Sequence, residues 1–232
     1  MLNPITSPKI ETHQGIQVVR DDLLPGSSKA RIFKETLNAS NADEFVYAGP
    51  GFGAAQIALA AVAYQLCKQA TLFVSWRSER TRYTKEAESY GAKIIEVRSG
   101  YLSVLQSRAR AYADETGAVL IPFGGGTQST AITQAARSLD IKPRHVWCAG
   151  ESGTLARSLK AAWPDAQLHV VKVGKDLPEI SGARIYDAGC AFSKPVTAKA
   201  DFPLHPNYEA KAWSKLRADG QCGNTLFWNV RG

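Results

Sequence analysis

Three short segments carry residue types able to do chemistry. The first is Leu24-Pro25-Gly26-Ser27-Ser28-Lys29-Ala30-Arg31. Ser27 is a good helix N-cap, which sets Lys29 in the first turn of a helix. There the helix dipole disfavours a cation and pushes the amine towards its neutral form, the form that condenses with a carbonyl. Most lysines at helix starts are nonetheless solvated and inert. The second segment is Trp147-Cys148-Ala149-Gly150-Glu151-Ser152-Gly153-Thr154. A strand enters a Gly/Ser loop and a helix begins near Thr154, so amides, a hydroxyl and the helix dipole converge as they do on a phosphate dianion. Glu151 opposes that role unless its carboxylate turns to solvent. The third is His205-Pro206-Asn207-Tyr208-Glu209-Ala210-Lys211, ahead of an amphipathic helix. Tyr208 offers a proton-transfer hydroxyl and Glu209 an acceptor for a cationic heterocycle. Taken alone, Glu209 reads as an ordinary first-turn helix acid.

The elements that must position these residues alternate along the chain. Apolar, β-branched runs at Phe45–Ala48, Thr71–Val74, Lys93–Val97, Ala118–Ile121, His145–Cys148, Leu168–Val171, Ala183–Tyr186 and Thr225–Trp228 predict strands. Helical spacing marks Gly53–Lys68, Ser78–Tyr90, Tyr101–Glu115, Ser129–Leu139, Thr154–Trp163 and Tyr208–Ala218. A βαβα alternation with short connections predicts an α/β protein with parallel sheets and helices on both faces. Three strands run into Gly-rich turns, at Gly49–Gly53, Gly124–Thr127 and Gly150–Thr154. Ligands of open α/β sheets sit at such carboxyl ends, so the turns predict a site built from several loops.

Composition narrows the classes. With 232 residues, 44% of them hydrophobic, the chain can bury a sizeable core, and its Gly and Pro usage excludes collagen-like and low-complexity readings. The Ala-rich stretch Ala54–Ala63 is too short to cross a bilayer, and the Met1-Leu2-Asn3-Pro4 start has no signal-peptide pattern. The expectation is a cytoplasmic protein without a membrane partner. Cys67, Cys148, Cys190 and Cys222 stand far apart, which predicts reduced, mostly buried thiols and no metal site. The four His residues lack partners at ligand spacing, and His145 and His169 fall in strand-like runs as core or edge residues. The net charge of +7 favours anionic partners: a phosphate cofactor, an acidic metabolite or nucleic acid.

In this order the segments resemble the fold-type II family of pyridoxal-phosphate (PLP) enzymes, nearest to aminocyclopropane-carboxylate deaminase and D-cysteine desulfhydrase. Ser27-Ser28-Lys29-Ala30-Arg31 is similar to the family's lysine segment, and Gly150-Glu151-Ser152-Gly153-Thr154 to its phosphate loop. Pro206, Tyr208, Glu209 and Lys211 match the segment that supplies an active-site tyrosine and an acid facing the pyridine nitrogen. The resemblance implies a two-lobed, tryptophan synthase β-like fold. A smaller lobe of about residues 40–115 is inserted into a larger one of 1–39 and 116–232, with PLP in the cleft. It also implies a homodimer, and Lys29 and Tyr208 as catalytic residues. Gly150, Glu151, Ser152, Gly153, Thr154 and Glu209 would hold the cofactor, and Gly51, Phe52, Gly53 and Ala54 the substrate.

One stretch departs from the family. Its polar substrate loop reads here Ala48-Gly49-Pro50-Gly51-Phe52-Gly53-Ala54-Ala55, with Gly53, Ala54 and Ala55 where Ser, Asn and His are expected. Lost polar side chains argue against the usual deaminase or desulfhydrase substrates and leave room for a bulkier one. The implied reaction is therefore a PLP-dependent lyase or decarboxylase acting at the α-carbon of an amino-acid-like substrate. A specific form of it is an amino acid attached to hypermodified thymine in bacteriophage DNA. One alternative is deamination or desulfhydration of a free small amino acid. Another is an NADP-binding protein, because Gly49, Gly51 and Ala54 fit a dinucleotide fingerprint with Arg77 available for a 2′-phosphate. A non-catalytic binding module is the last.

Overall fold

The computed structural model describes residues 7–98, 100–123, 128–174, 177–220 and 223–231. The chain opens with β1 (Ile10–His13), β2 (Ile16–Arg20), α1 (Lys29–Asn38), β3 (Glu44–Ala48), α2 (Ala54–Gln65), β4 (Gln69–Ser75), α3 (Arg82–Ser89) and β5 (Lys93–Val97). It continues through α4 (Leu102–Thr116), β6 (Val119–Ile121), α5 (Thr130–Arg137), β7 (His145–Gly150), α6 (Thr154–Ala162), β8 (Gln167–Lys172), β9 (Ala183–Asp187), α7 (Glu209–Asp219) and β10 (Thr225–Asn229). The expected α/β alternation is present; seven of the eight expected strands fall inside observed ones, and the eighth, Ala118–Ile121, begins one residue later, at Val119.

Two compact units form, each around its own sheet. In the first, within residues 24–123, the sheet order is β5-β4-β3-β6 and every pairing is parallel. Helix α2 lies in its core. Every residue from Ala54 to Ala63 is buried, and the small side chains let neighbouring backbone approach closely. Gly26 uses that room. It takes a left-handed φ of +72°, and a Cβ there would lie 2.2 Å from the Ala58 amide nitrogen. Helix α1, expected with the larger lobe, packs against α2 in this unit through Ala30, Phe33 and Leu37. Burying side chains of the Phe and Leu kind stabilises by roughly 1.5–3 kcal/mol each.

The second unit, residues 7–23 with 128–231, carries a six-stranded sheet ordered β1-β2-β10-β7-β8-β9. Only the β1–β2 pair is antiparallel. That hairpin was not expected from sequence. Its two-residue turn, Gln14 at φ +51° and Gly15 at φ +79°, has both residues left-handed, matching the twist of the flanking strands. Trp147, Trp213 and Phe227 pack together between the sheet and α7.

Three expectations are corrected. Helix α3 starts at Arg82 rather than Ser78, because the Thr81 hydroxyl accepts the Thr84 amide at 3.3 Å and caps the helix there. Ser27 is not an N-cap, for reasons given below. Among the described cysteines only Cys148 is buried, while Cys67 is exposed and Cys190 half-buried; all three are free thiols. Cys222 and the Gly124–Thr127 turn lie outside the described residues. No described helix is long and apolar enough to cross a membrane, and no described cluster of His, Cys, Asp and Glu is arranged to hold a metal.

Candidate active site

In the first unit, Lys29 is the first residue of α1 and is half-buried. Ser27 adopts a left-handed φ of +64°, and its hydroxyl donates to the Gly26 carbonyl at 2.6 Å. The hydroxyl is thereby turned away from the helix. Ser28 takes the cap position instead, without a side-chain cap bond, so Lys29 keeps the first-turn placement expected of it.

The β3–α2 turn belongs to the same unit. Gly53 is the N-cap and offers no side chain to the first amides of α2. The turn is held from outside: the Thr81 hydroxyl donates to the Gly51 carbonyl, and the Gln56 amide donates to the Pro50 carbonyl at 3.1 Å. A Cβ on Gly49 would meet the Tyr47 ring at 2.5 Å, so this turn requires glycine for space. Burial raises the Tyr47 hydroxyl to a pKa of about 12. Ala54 and Ala55 are buried, and Phe52 projects outward beneath the Arg77 guanidinium, 4.6 Å from the ring centre.

In the second unit the β7–α6 turn also runs from glycines into a helix without a side-chain cap, but its walls are polar. Gly150 has no room for a Cβ, which would lie 2.4 Å from Val170 Cγ1. Gly153 caps α6 in the left-handed conformation and leaves its first amides without a side-chain cap. Ser152 and Thr154 place their hydroxyl oxygens 3.3 Å apart. Sequence reasoning missed two supports of this turn. Arg157, one turn into α6, donates to the Ser152 carbonyl at 2.9 Å, and Ser158 donates to the Thr154 carbonyl at 2.8 Å. Their i+3 and i+4 spacing from Thr154 was the available signal.

Tyr208 and Glu209 open α7 in the same unit. The Tyr208 hydroxyl donates to Glu151 Oε2 at 2.8 Å, tying the start of α7 to the β7–α6 turn. Glu151 is exposed and its carboxylate faces the tyrosine, which removes the liability it posed in the turn. Burial, then the Glu151 bond and charge, hold the Tyr208 hydroxyl well above the ordinary tyrosine range. Arg231, also missed from sequence, lies over the Tyr208 ring at 5.1 Å and opposes that rise. Glu209 is not a solvated first-turn acid. It is buried, its Oε2 has no hydrogen-bond partner among the described residues, and burial raises its carboxyl to a pKa of about 8. The nearby Cys148 thiol is pushed up to about 12 by burial and by the Glu209 charge.

No protein-family model matches the chain, and no curated protein matches it. Solved structures do. An ACC deaminase homologue aligns over 100% of this chain and 91% of its own at 16% identity, with a TM-score of 0.75. Threonine deaminase isoform 2 from Solanum lycopersicum aligns over 97% of this chain and 79% of its own at 10% identity, with a TM-score of 0.70. A pyridoxal 5′-phosphate-dependent aspartate racemase aligns over 98% and 90% at 11% identity, with a TM-score of 0.68. The chain has the fold-type II architecture. Within that architecture Lys29 begins the helix after the β1–β2 hairpin, and the turn at 150–154 follows a parallel strand of the six-stranded sheet.

Proposed function

We propose that this fold-type II protein is a PLP-dependent lyase acting at the α-carbon of an amino-acid-like substrate. The observation that carries the reading is the unpartnered, buried Glu209 Oε2. A buried carboxylate oxygen left without a partner is costly, and a protonated ring nitrogen is the group that would satisfy it. The turn at Gly150–Thr154 fits a phosphate, because the α6 amides are uncapped and two hydroxyls stand beside them. When bound, PLP supplies an electron sink for the α-carbon. Lys29 anchors the cofactor and moves the proton at the α-carbon. Tyr208, aligned by Glu151, holds or delivers a second proton. Glu209 holds the proton on the ring nitrogen. Gly51, Phe52, Gly53 and Ala54 receive the substrate through main-chain amides and one aromatic face.

We infer the finer choice, decarboxylation against deamination and a free amino acid against one joined to a DNA base, from the walls of the β3–α2 turn. Gly53, Ala54 and Ala55 place no polar side chain there, which favours a substrate larger than the deaminases take, with loss of carboxylate as its reaction. A homodimer is part of the same proposal.

The test is to add PLP to the purified chain, reduce with borohydride and map the modified lysine. Modification at Lys29, abolished in Lys29→Ala, supports the reading; modification elsewhere, or none, overturns it. Release of CO2 or ammonia from free and thymine-linked amino acids then separates the finer readings. The dinucleotide alternative retains the β5-β4-β3-β6 strand order. Its phosphate partner, Arg77, is instead stacked on Phe52. Saturable binding of NADP in place of PLP would restore it.

A further inference from the structure

Each of the four parallel strands of the first unit is followed within four residues by an exposed aromatic residue. Phe52 follows β3, Trp76 follows β4, Tyr101 follows β5 and Phe123 follows β6, at 58%, 54%, 78% and 49% exposure. Only two other aromatic side chains are prominently exposed among the described residues, Tyr64 and Phe192. The loops after β3, β4 and β5 are joined by their own bonds. Trp76 N donates to the Val97 carbonyl at 2.9 Å, the Ser75 hydroxyl donates to the Gly100 carbonyl at 3.0 Å, and Thr81 holds Gly51. An exposed aromatic of this size is a cost unless something covers it, and four at one sheet edge make a surface.

The charges at this edge are cationic. Arg77 and Arg98 are exposed and form no ion pair among the described residues, and Arg77 continues the aromatic face of Phe52. The nearby acids are occupied: Glu79 by Lys85 at 2.6 Å, Glu96 and Glu88 by Arg80 at 3.1 and 2.6 Å. Flat rings interleaved with free guanidinium groups match bases linked by phosphates.

We propose that the carboxyl edge of the four-stranded sheet is a stacking surface for single-stranded nucleic acid, with Trp76 and Tyr101 as the base platforms and Arg77 and Arg98 on the phosphates. The proposal rests on the functional reading above in one respect: it names what the substrate's amino-acid group is attached to.

The test is fluorescence anisotropy of labelled dT12 and rU12 with the full chain from 50 to 200 mM salt, with circular dichroism confirming that each variant is folded. Binding is expected, weakened about tenfold or more by Trp76→Ala with Tyr101→Ala, and restored to within about threefold by Trp76→Phe with Tyr101→Phe. Arg77→Ala should lower the slope of log affinity against log salt by about 0.7. The ratio of dT12 to rU12 affinity identifies the sugar preferred. No binding at 50 mM salt, or equal binding by the double alanine variant, overturns the proposal. So does self-association that the double variant abolishes in place of oligonucleotide binding, since the surface would then cover a second copy. Lys29→Ala separates the two readings: loss of PLP with oligonucleotide binding intact leaves both standing, whereas PLP fixed at Lys29 without oligonucleotide binding removes only this one.

Discussion

The β3–α2 and β7–α6 turns share one backbone device and differ in nearly everything else. In both, a parallel strand runs into glycines and a helix starts without a side-chain cap. The β7–α6 turn adds hydroxyls at 152 and 154, a guanidinium on its carbonyl and a tyrosine bond from α7. The β3–α2 turn adds alanines, an exposed Phe52 and the arginine stacked on it. Amides alone present an anion site of modest selectivity; the side chains decide what stays. The β7–α6 turn presents hydroxyls beside its helix start, the β3–α2 turn an apolar wall and one exposed ring.

Glycine substitutions break this comparison most sharply. Gly26→Ala should cost the most, about 3 kcal/mol or more by urea denaturation, since its Cβ would enter the Ala58 backbone from a left-handed residue. Helix α2 is thus pinned near its middle rather than at its own turn. Gly150→Ala should cost about 1–3 kcal/mol, because its Cβ meets Val170 and Leu177, and phosphate retention should fall with it in PLP titrations. Gly51→Ala should change stability by less than about 0.5 kcal/mol. Its Cβ would sit at ordinary distance, 3.5 Å, from Arg77 and Thr81.

A pH effect in the cofactor-free protein stands beside these. The Glu209 carboxyl is raised from 4.5 to about 8, so between those values the folded state holds a proton the unfolded state has lost, and stability falls as pH rises. His169 acts oppositely. Burial, then the charge of His145, lowers it to about 4, so its contribution is present above the unfolded value of 6.5 and is lost as pH falls towards 4. In wild type the two slopes oppose each other between about pH 4.5 and 6.5, and only the Glu209 decline remains up to 8. Glu209→Gln should show rising stability from pH 4.5 to 6.5 and a flat profile above it. The difference in slope is at most about 1.4 kcal/mol per pH unit. Chemical denaturation at half-unit pH steps checks it.

Much of this was legible from residue types. Alternating apolar runs located the central strands, and Gly150–Thr154 and Tyr208–Glu209 announced a glycine turn into a helix and an acid at a helix start. The β1–β2 hairpin was not legible, because Gln14 is an uncommon left-handed residue and Ile10–His13 follows one apolar residue with three polar ones, without the alternation that marks a strand. The place of α1 depends on long-range burial of Phe33 and Leu37 against α2, which local pattern does not encode. Arg231 reaches Tyr208 from the far end of the chain, and the burial that sets Glu209 apart comes from the packed fold. The histidines were read correctly as strand residues. His169 is buried and bonded to His145 at 3.1 Å and to the Tyr186 hydroxyl at 2.9 Å. Trp213 is a core residue whose indole donates to the Lys199 carbonyl.

The central claim is that the unpartnered oxygen of Glu209 holds a protonated heterocycle. Nitrogen NMR of the chain loaded with ring-15N pyridoxal phosphate tests it directly. A pyridinium signal in wild type that becomes a neutral-pyridine signal in Glu209→Gln is the predicted result. A neutral ring in wild type, or a pyridinium unchanged by the substitution, would contradict it.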